Sequence, residues 1–342
     1  MISGGLDRID SRVLIPPMER APSRPPSDLV WSLTGETMGT TWAVRAVPAP
    51  GTLKSDLQAA IQLELDSNVA LFSPWEANSE ISRFNLAPAG TWALSDDFWS
   101  LLVASMDLAD DTDGAVDPTL GALVDLWGFG PPGPRDDLPT ADAIGLALGV
   151  SGWQKLRLHR AGQAAVQPGG LALDFCGIAK GHAVDRVSER LMTLGATSHL
   201  VEIGGELRGM GVKPDAQPWW VEIEQPPGSQ IPRTVAALVD IAVATSGDHR
   251  RAFVHEDRLY PHTLNGRTGW PVENGVTSVT VFHTSAMKAD ALATALTVMG
   301  PDDGLAYAEA LQLTAHFVSR TVDGLVEKMT PAFLAMMDDD AA

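Results

Sequence analysis

Apolar residues after Ile178 recur every three or four positions: Val184, Val187, Leu191 and Leu194 stand on one face. That spacing predicts an amphipathic helix over 178–194. Helical stretches are also expected from Leu53 to Phe72 and from Ser95 to Asp111, the latter closing at Asp113-Gly114. A helix over 285–299 is apolar almost all round, with Ala289, Ala291, Leu292, Ala293, Ala295 and Leu296, so it is expected to be buried. Between these tracts lie short β-type runs with Gly or Pro punctuation. They are TTWAVRAV (40–47), KLRLHR, AAVQP, LALD (171–174), SHLVEIGG (198–205), ELRGMG, WWVEIEQP (219–226), VAALVDIAVATS (235–246), TSVTVFH (277–283) and LTAHFVS (313–319), the last read as the final core strand. Many strands on hairpin-length turns with few helices predict an α+β fold with a largely antiparallel sheet.

No internal repeat or clean linker divides the chain. One continuous body is expected over 30–328, after an irregular Pro/Arg/Ser-rich tail at 1–29 and before a C-terminal helix and acidic tail at 329–342. Residues 128–138, GFGPPGPRDDL, read as loop.

Composition narrows the function. Against 24 Lys+Arg stand 43 Asp+Glu, a formal net charge of −19. A surface that negative repels nucleic acid and anionic lipid, so neither is an expected partner. The single cysteine, Cys176, excludes an internal disulfide and a Cys-rich zinc cluster. The N-terminal stretch has no secretory h-region and no cysteine to lipidate. No run is long and apolar enough for membrane insertion, so the sequence reads as cytoplasmic.

Two segments carry candidate chemistry. In LALDFCGIAKG (171–181), Asp174 ends a strand, Gly177 permits a tight turn and Lys180 enters the first turn of a helix. Taken alone this reads as a capping Asp and a solvated Lys. A cation there opposes the helix macrodipole, however, which an anion docking at the same place would explain. In SAMKADALATAL (285–296), Asp290 and Thr294 share a face of the apolar helix. A carboxylate buried there needs compensation, and Mg²⁺ or a buried Arg or Lys are the competing partners. Thr245, Ser246 and Gly247 read as a phosphate-cradling turn. His262 is a candidate general base, although a lone histidine is more often a satisfied structural residue. The GxGxxG spelled by Gly128, Gly130 and Gly133 lacks a flanking strand and helix, and GGELRGMG lacks the GK[ST] of a P-loop. Neither a GxSxG elbow nor an HExxH motif is present.

Six segments in order resemble the ApbE family of FAD:protein FMN transferases. They are GETMGTTW (35–42), LFSPWEANSEISRFN (71–85), DGAVDPTLGALVDLWGFGP (113–131), LDFCGIAKGHAVDRV (173–187), VEIGGELRGMG (201–211) and the ATSGDHRR…HTLNGRTGWPV…ADALATAL series. The resemblance implies an ApbE-like, T-fold-related body. It also implies FAD contacts at Met38, Trp75, Ala115, Val116, Asp117, Asp174, Lys180 and Leu264. An Mg²⁺ site is implied at Gly177 (through its carbonyl), Asp290 and Thr294, with catalytic roles for His262, as the base, and Asp290. Trp75 stands where the family usually has Tyr, His182 replaces a Tyr after KG, and Cys176 replaces Gly or Ser.

The implied reaction is Mg²⁺-dependent transfer of the FMN moiety of FAD to a Thr or Ser hydroxyl of a target protein, releasing AMP. The same residues are compatible with an FAD pyrophosphatase giving FMN and AMP. A non-catalytic FAD carrier, the third reading, needs no complete metal and base set.

Overall fold

The structure is a computed structural model that describes residues 11–18, 21–22, 25–248, 252–256 and 258–337. Its centre is an eight-stranded sheet. The order across it is Gly324–Met329, Thr314–Thr321, Val276–His283, Ile241–Gly247, Glu206–Met210, Ser198–Ile203, Thr40–Val47, Trp31–Thr37. Every neighbouring pair is antiparallel. The fold is α+β, as the pattern of short runs implies.

Strand alternation decides which residues meet which layer. Trp42, Val44, Val201, Ile203 and Ala242 pack with Leu57, Ile61, Leu65, Val184, Val187 and Leu191 of the helices Lys54–Phe72 and Ala179–Thr193. Their neighbours of opposite parity, Val47, Leu200 and Val243, join Leu14, Trp219, Val221, Ala236 and Leu238 on the other face. Those partners belong to a three-stranded sheet of Ser11–Leu14, Arg233–Leu238 and Trp219–Glu222. The helix Ala286–Met299 packs beside Ala179–Thr193 and over the strands Ile241–Gly247 and Val276–His283. Among the described residues, no helix is long and apolar enough to cross a membrane.

Four local expectations are corrected. Part of the tail expected to be irregular, Ser11–Leu14, is a strand parallel to Arg233–Leu238; Leu14 is fully buried and Arg12 pairs with Glu327 across two hydrogen bonds of 2.9 and 3.2 Å. The run 235–246 is two strands in different sheets, because Asp240 turns the chain at φ 54°. The last core strand, Thr314–Thr321, is followed by an edge strand, Gly324–Met329, whose GLVEKM sequence has little alternation to reveal it. LALD is not a strand; it makes one isolated bridge, Leu120 to Ala172. Helices Glu80–Asn85, Gly121–Leu126, Ala141–Val150 and Asp303–Ala310 are additions to those expected from the sequence.

A buried histidine is expected to make the fold acid-sensitive. His199 is fully buried, its Nδ1–H donating to the Ala196 carbonyl at 2.8 Å and its Nε2 accepting from Ser188 Oγ at 2.7 Å. Burial lowers its pKa from 6.5 to about 4. The folded value lies below the unfolded one, so this contribution to stability is complete above pH 6.5. It is lost as pH falls towards 4. A cost of roughly 2 kcal/mol is expected by pH 5 from this residue. Urea midpoints measured at pH 7 and pH 5 should fall accordingly, and an unchanged midpoint would contradict the assignment.

Candidate active site

Backbone accounting explains why residues 171–174 are extended yet outside any sheet. Their polar groups are taken by side chains and a neighbouring loop. Asn85 clasps Leu173 from both sides, Nδ2 donating to its carbonyl at 2.9 Å and Oδ1 accepting its N–H at 2.7 Å. Gln167 Nε2 donates to the Leu171 carbonyl, Gly121 N–H to that of Ala172, and Asp174 N–H to that of Pro118. Asp174 then accepts the Cys176 N–H on Oδ1 at 2.8 Å, an Asx turn that redirects the chain. It is not the helix cap: the helix Ala179–Thr193 starts later, with Ile178 at the N-cap position and no side-chain cap. Lys180, in the first turn, is not simply solvated; its ammonium pairs with Glu206.

The second segment arrives through an unusually close helix contact. A Cβ at Gly181 would stand 2.3 Å from the Ala286 carbonyl oxygen and 2.8 Å from Asp290 Cβ. Only glycine permits this approach. It brings the Gly181 N–H 3.0 Å from Asp290 Oδ2, and Asp290 is 4% exposed. Asp185, one turn further along the same helix, binds the start of the other. Its Oδ2 accepts from Ser285 Oγ at 2.7 Å and Met287 N–H at 3.0 Å, and its Oδ1 from Ala286 N–H at 2.9 Å. Arg208 completes the cluster by pairing with Asp185.

One turn beyond Asp290, Thr294 Oγ1 lies 3.2 Å from Ser246 Oγ, and a Cβ at Gly177 would lie 3.1 Å from it. The two segments, more than a hundred residues apart in sequence, therefore meet. Ser246 is nevertheless not in a phosphate-cradling turn. Thr245, Ser246 and Gly247 end the strand Ile241–Gly247, in register with Thr280, Val279 and Ser278. Their peptide groups belong to a ladder, and what they offer the site is hydroxyls. Of TSGDHRR, residues 249–251 lie outside the described residues.

A single cleft is lined by Ala115, Val116, Asp117, Asp174, Gly177, Lys180, His262, Leu264, Asp290 and Thr294, and also by Ser246, Glu206 and Phe129. Asp117 doubles as a brace: Oδ1 accepts from Thr119 N–H and Oγ1, at 2.8 and 2.6 Å, and Oδ2 from Trp153 N–H at 3.1 Å. Burial raises its pKa above the usual carboxylate value, and those hydrogen bonds partly oppose the rise. His262 follows the strand Arg258–Pro261 and packs edge-on to Phe129, with ring centroids 6.3 Å apart. Its loop is tied down where Trp127 Nε1 donates to the Gly269 carbonyl at 2.8 Å and Arg267 donates to that of Asp113 at 3.0 Å.

Met38 and Trp75 are not among the cleft-lining residues. Met38 (φ 48°) and Gly39 (φ 70°) are the two left-handed residues of a tight hairpin between Trp31–Thr37 and Thr40–Val47. Asn68 Nδ2 donates to the Met38 sulfur and to the Ala179 carbonyl, both at 3.4 Å, and Asn68 Oδ1 accepts from His182 Nδ1 at 2.9 Å. Met38 is thereby held beside the start of the lysine-bearing helix. Burial lowers the His182 pKa to about 4, so its ring is neutral at pH 7. Trp75 is 48% exposed, just after the helix Lys54–Phe72.

Asp290, Thr294 and the Gly177 carbonyl are oxygen donors, the chemistry a hard cation prefers. Among the described residues no group of three or more His, Cys, Asp or Glu side chains could hold a metal. Mg²⁺ in general takes one or two carboxylates and completes its shell with water and phosphate oxygens. Sequence reasoning missed Asp185, Asn85, Asn68 and Glu206. The available sign was position alone: Asn85, Asp185 and Glu206 stand inside three of the six segments that carry the family resemblance.

Comparison with known proteins places the chain in a family. The ApbE family model matches residues 38–317. A Vibrio cholerae protein named FAD:protein FMN transferase is 37% identical over 306 residues, which cover 88% of this chain and 91% of the relative. A Haemophilus influenzae protein of the same name is 34% identical, over 89% of this chain and 90% of the relative. The apo crystal structure of Pseudomonas stutzeri flavinyl transferase ApbE superposes with a TM-score of 0.84 at 39% identity, covering 90% of this chain and 97% of that one. With a matching model over most of its length and relatives above 30% identity along nearly all of theirs, the chain belongs to the ApbE family.

Proposed function

We propose that this protein transfers the FMN portion of FAD to a Thr or Ser hydroxyl of a partner protein, with Mg²⁺ held by Asp290, Thr294 and the Gly177 carbonyl. The meeting of Asp290 and Thr294 with the 174–180 segment in one cleft, which Lys180 and His262 also line, is the observation that carries this reading.

In this reading the Lys180 ammonium binds the diphosphate of FAD, and Ala115, Val116 and Leu264 give apolar contact to the rest of the dinucleotide. A bound Mg²⁺ supplies charge neutralisation on the diphosphate oxygens. A ring nitrogen of His262 takes the proton from the acceptor hydroxyl, whose oxygen attacks the FMN-side phosphorus. The bond from that phosphorus to the bridging oxygen breaks, and AMP leaves. The product is FMN joined to the partner through a phosphodiester. The protein's contribution is alignment and electrostatic stabilisation, as in other phosphoryl transfers. Met38 and Trp75 are proposed as contacts for a part of the dinucleotide extending out of the cleft.

Mass spectrometry of an acceptor protein incubated with enzyme, FAD and Mg²⁺ tests the proposal. Addition of FMN less water on a Thr or Ser, with one AMP per modification, is expected. AMP release at the same rate without an acceptor, and an unmodified acceptor, would identify a pyrophosphatase. Bound flavin with no AMP under any condition would identify a carrier.

A further inference from the structure

Glu206 opens the strand Glu206–Met210 directly after a turn in which Gly204 (φ 58°) and Gly205 (φ 96°) are both left-handed. The turn is pressed against neighbours on the site: a Cβ at Gly204 would lie 2.9 Å from Thr40 Cγ2 and 3.6 Å from Lys180 Cδ. Two glycines are thus what lets a carboxylate be delivered beside the lysine stem. The Glu206 side chain is 1% exposed and that of Lys180 is 30% exposed. Their charged ends are in direct contact, and both residues line the cleft.

A carboxylate beside the residue meant to bind an anion looks counterproductive. A lysine side chain, however, carries ~2 kcal/mol of rotamer entropy and an ammonium that rotates freely. Fixing one of its three N–H bonds fixes the cone on which the other two lie. The carboxylate also offsets a cation placed, against the macrodipole, at the start of a helix. It further limits the attraction between the lysine and the ground-state diphosphate. Binding that is equally strong in ground and transition states does not raise turnover.

We infer that Glu206 is a positioning residue, which aims the Lys180 ammonium and tempers its charge so that FAD is not held too tightly before transfer. The inference rests on the reading that Lys180 meets the diphosphate, and the test separates the two. Glu206→Gln keeps an oxygen for the ammonium and removes the charge. It should tighten FAD binding ~3–10-fold in a flavin-fluorescence titration with Mg²⁺ while lowering kcat ~10-fold. In a Lys180→Gln background the same change should alter neither quantity by more than ~2-fold. Weaker or unchanged FAD binding in Glu206→Gln, or an undiminished effect in the Lys180→Gln background, overturns the inference. Lys180→Gln leaving FAD affinity unaltered overturns the lysine–diphosphate reading instead. Should Glu206→Gln fail to fold, Glu206→Asp keeps the charge one methylene short; its FAD affinity should stay within ~2-fold and its kcat should fall, and an unchanged kcat refutes positioning.

Discussion

Asp290→Ala should lower turnover with FAD roughly 10²–10³-fold, the scale seen when one preorganised transition-state stabiliser is removed. The side chain is 4% exposed on a helix that is otherwise apolar around it. A charge in that setting is costly to maintain, and the proposed cation at the diphosphate is the compensation. The alanine variant also deprives the Gly181 N–H of its acceptor at 3.0 Å. That buried donor costs about 1–3 kcal/mol of stability when left unmet. Asp290→Asn separates the two effects. Its amide oxygen still accepts from Gly181, so the thermal midpoint should stay closer to that of the parent while turnover stays low. Initial rates of AMP release across a Mg²⁺ titration, with melting curves of the same preparations, decide the matter. An Asn variant within threefold of the parent at saturating Mg²⁺ would remove Asp290 from the proposed metal site.

Asp185→Ala is expected to give the largest loss of stability, roughly 3–5 kcal/mol, because it breaks a partly buried ion pair and also removes the acceptor of three further donors. Asp185 is 8% exposed and its carboxylate serves four groups: Ser285 Oγ, the N–H of Ala286, the N–H of Met287, and Arg208. Two of these are peptide donors at the start of the helix Ala286–Met299, which have no partner within the helix itself. Against a typical total of 5–15 kcal/mol the loss is severe. The urea midpoint should fall with an unchanged denaturant slope. In an Arg208→Leu background the same substitution should cost distinctly less, since no guanidinium is then stranded. Equal costs in both backgrounds would mean that the Arg208 pair is idle.

Helices were legible in the sequence because their burial pattern is local. The expected 53–72, 95–111, 178–194 and 285–299 correspond to Lys54–Phe72, Asp96–Asp111, Ala179–Thr193 and Ala286–Met299. The strand at 40–47 was legible for the same reason, with period two over Trp42, Val44 and Ala46, whereas 277–283 was legible as a β-branched run that is buried on both faces. LALD was not, because its alternation resembles a strand while its peptide groups are satisfied by Asn85, Gln167 and the Pro118–Gly121 loop. Thr245–Gly247 has turn-forming residue types, but pairing with Val276–His283 overrides that local preference. The cleft residues were legible as chemistry, since a lysine in a first helical turn and a carboxylate in an apolar helix are both anomalies. Asp185 and Glu206 raise no such anomaly. On a helix or beside a turn, either reads as an ordinary surface acid. Their importance comes from Ser285, a hundred positions from Asp185, and from Lys180, twenty-six from Glu206.

The sheet places Trp31–Thr37 at one edge and Gly324–Met329 at the other. Local hairpins supply some neighbours, but pairings such as Thr40–Val47 with Ser198–Ile203 join distant parts of the chain, which makes for slow, non-local folding. During synthesis the 174–180 arm leaves the ribosome long before the helix bearing Asp290 and Thr294 exists. Under the proposed function, the diphosphate site is therefore complete only once nearly the whole chain has been made, and a polypeptide released before Asp290 is expected to be catalytically silent.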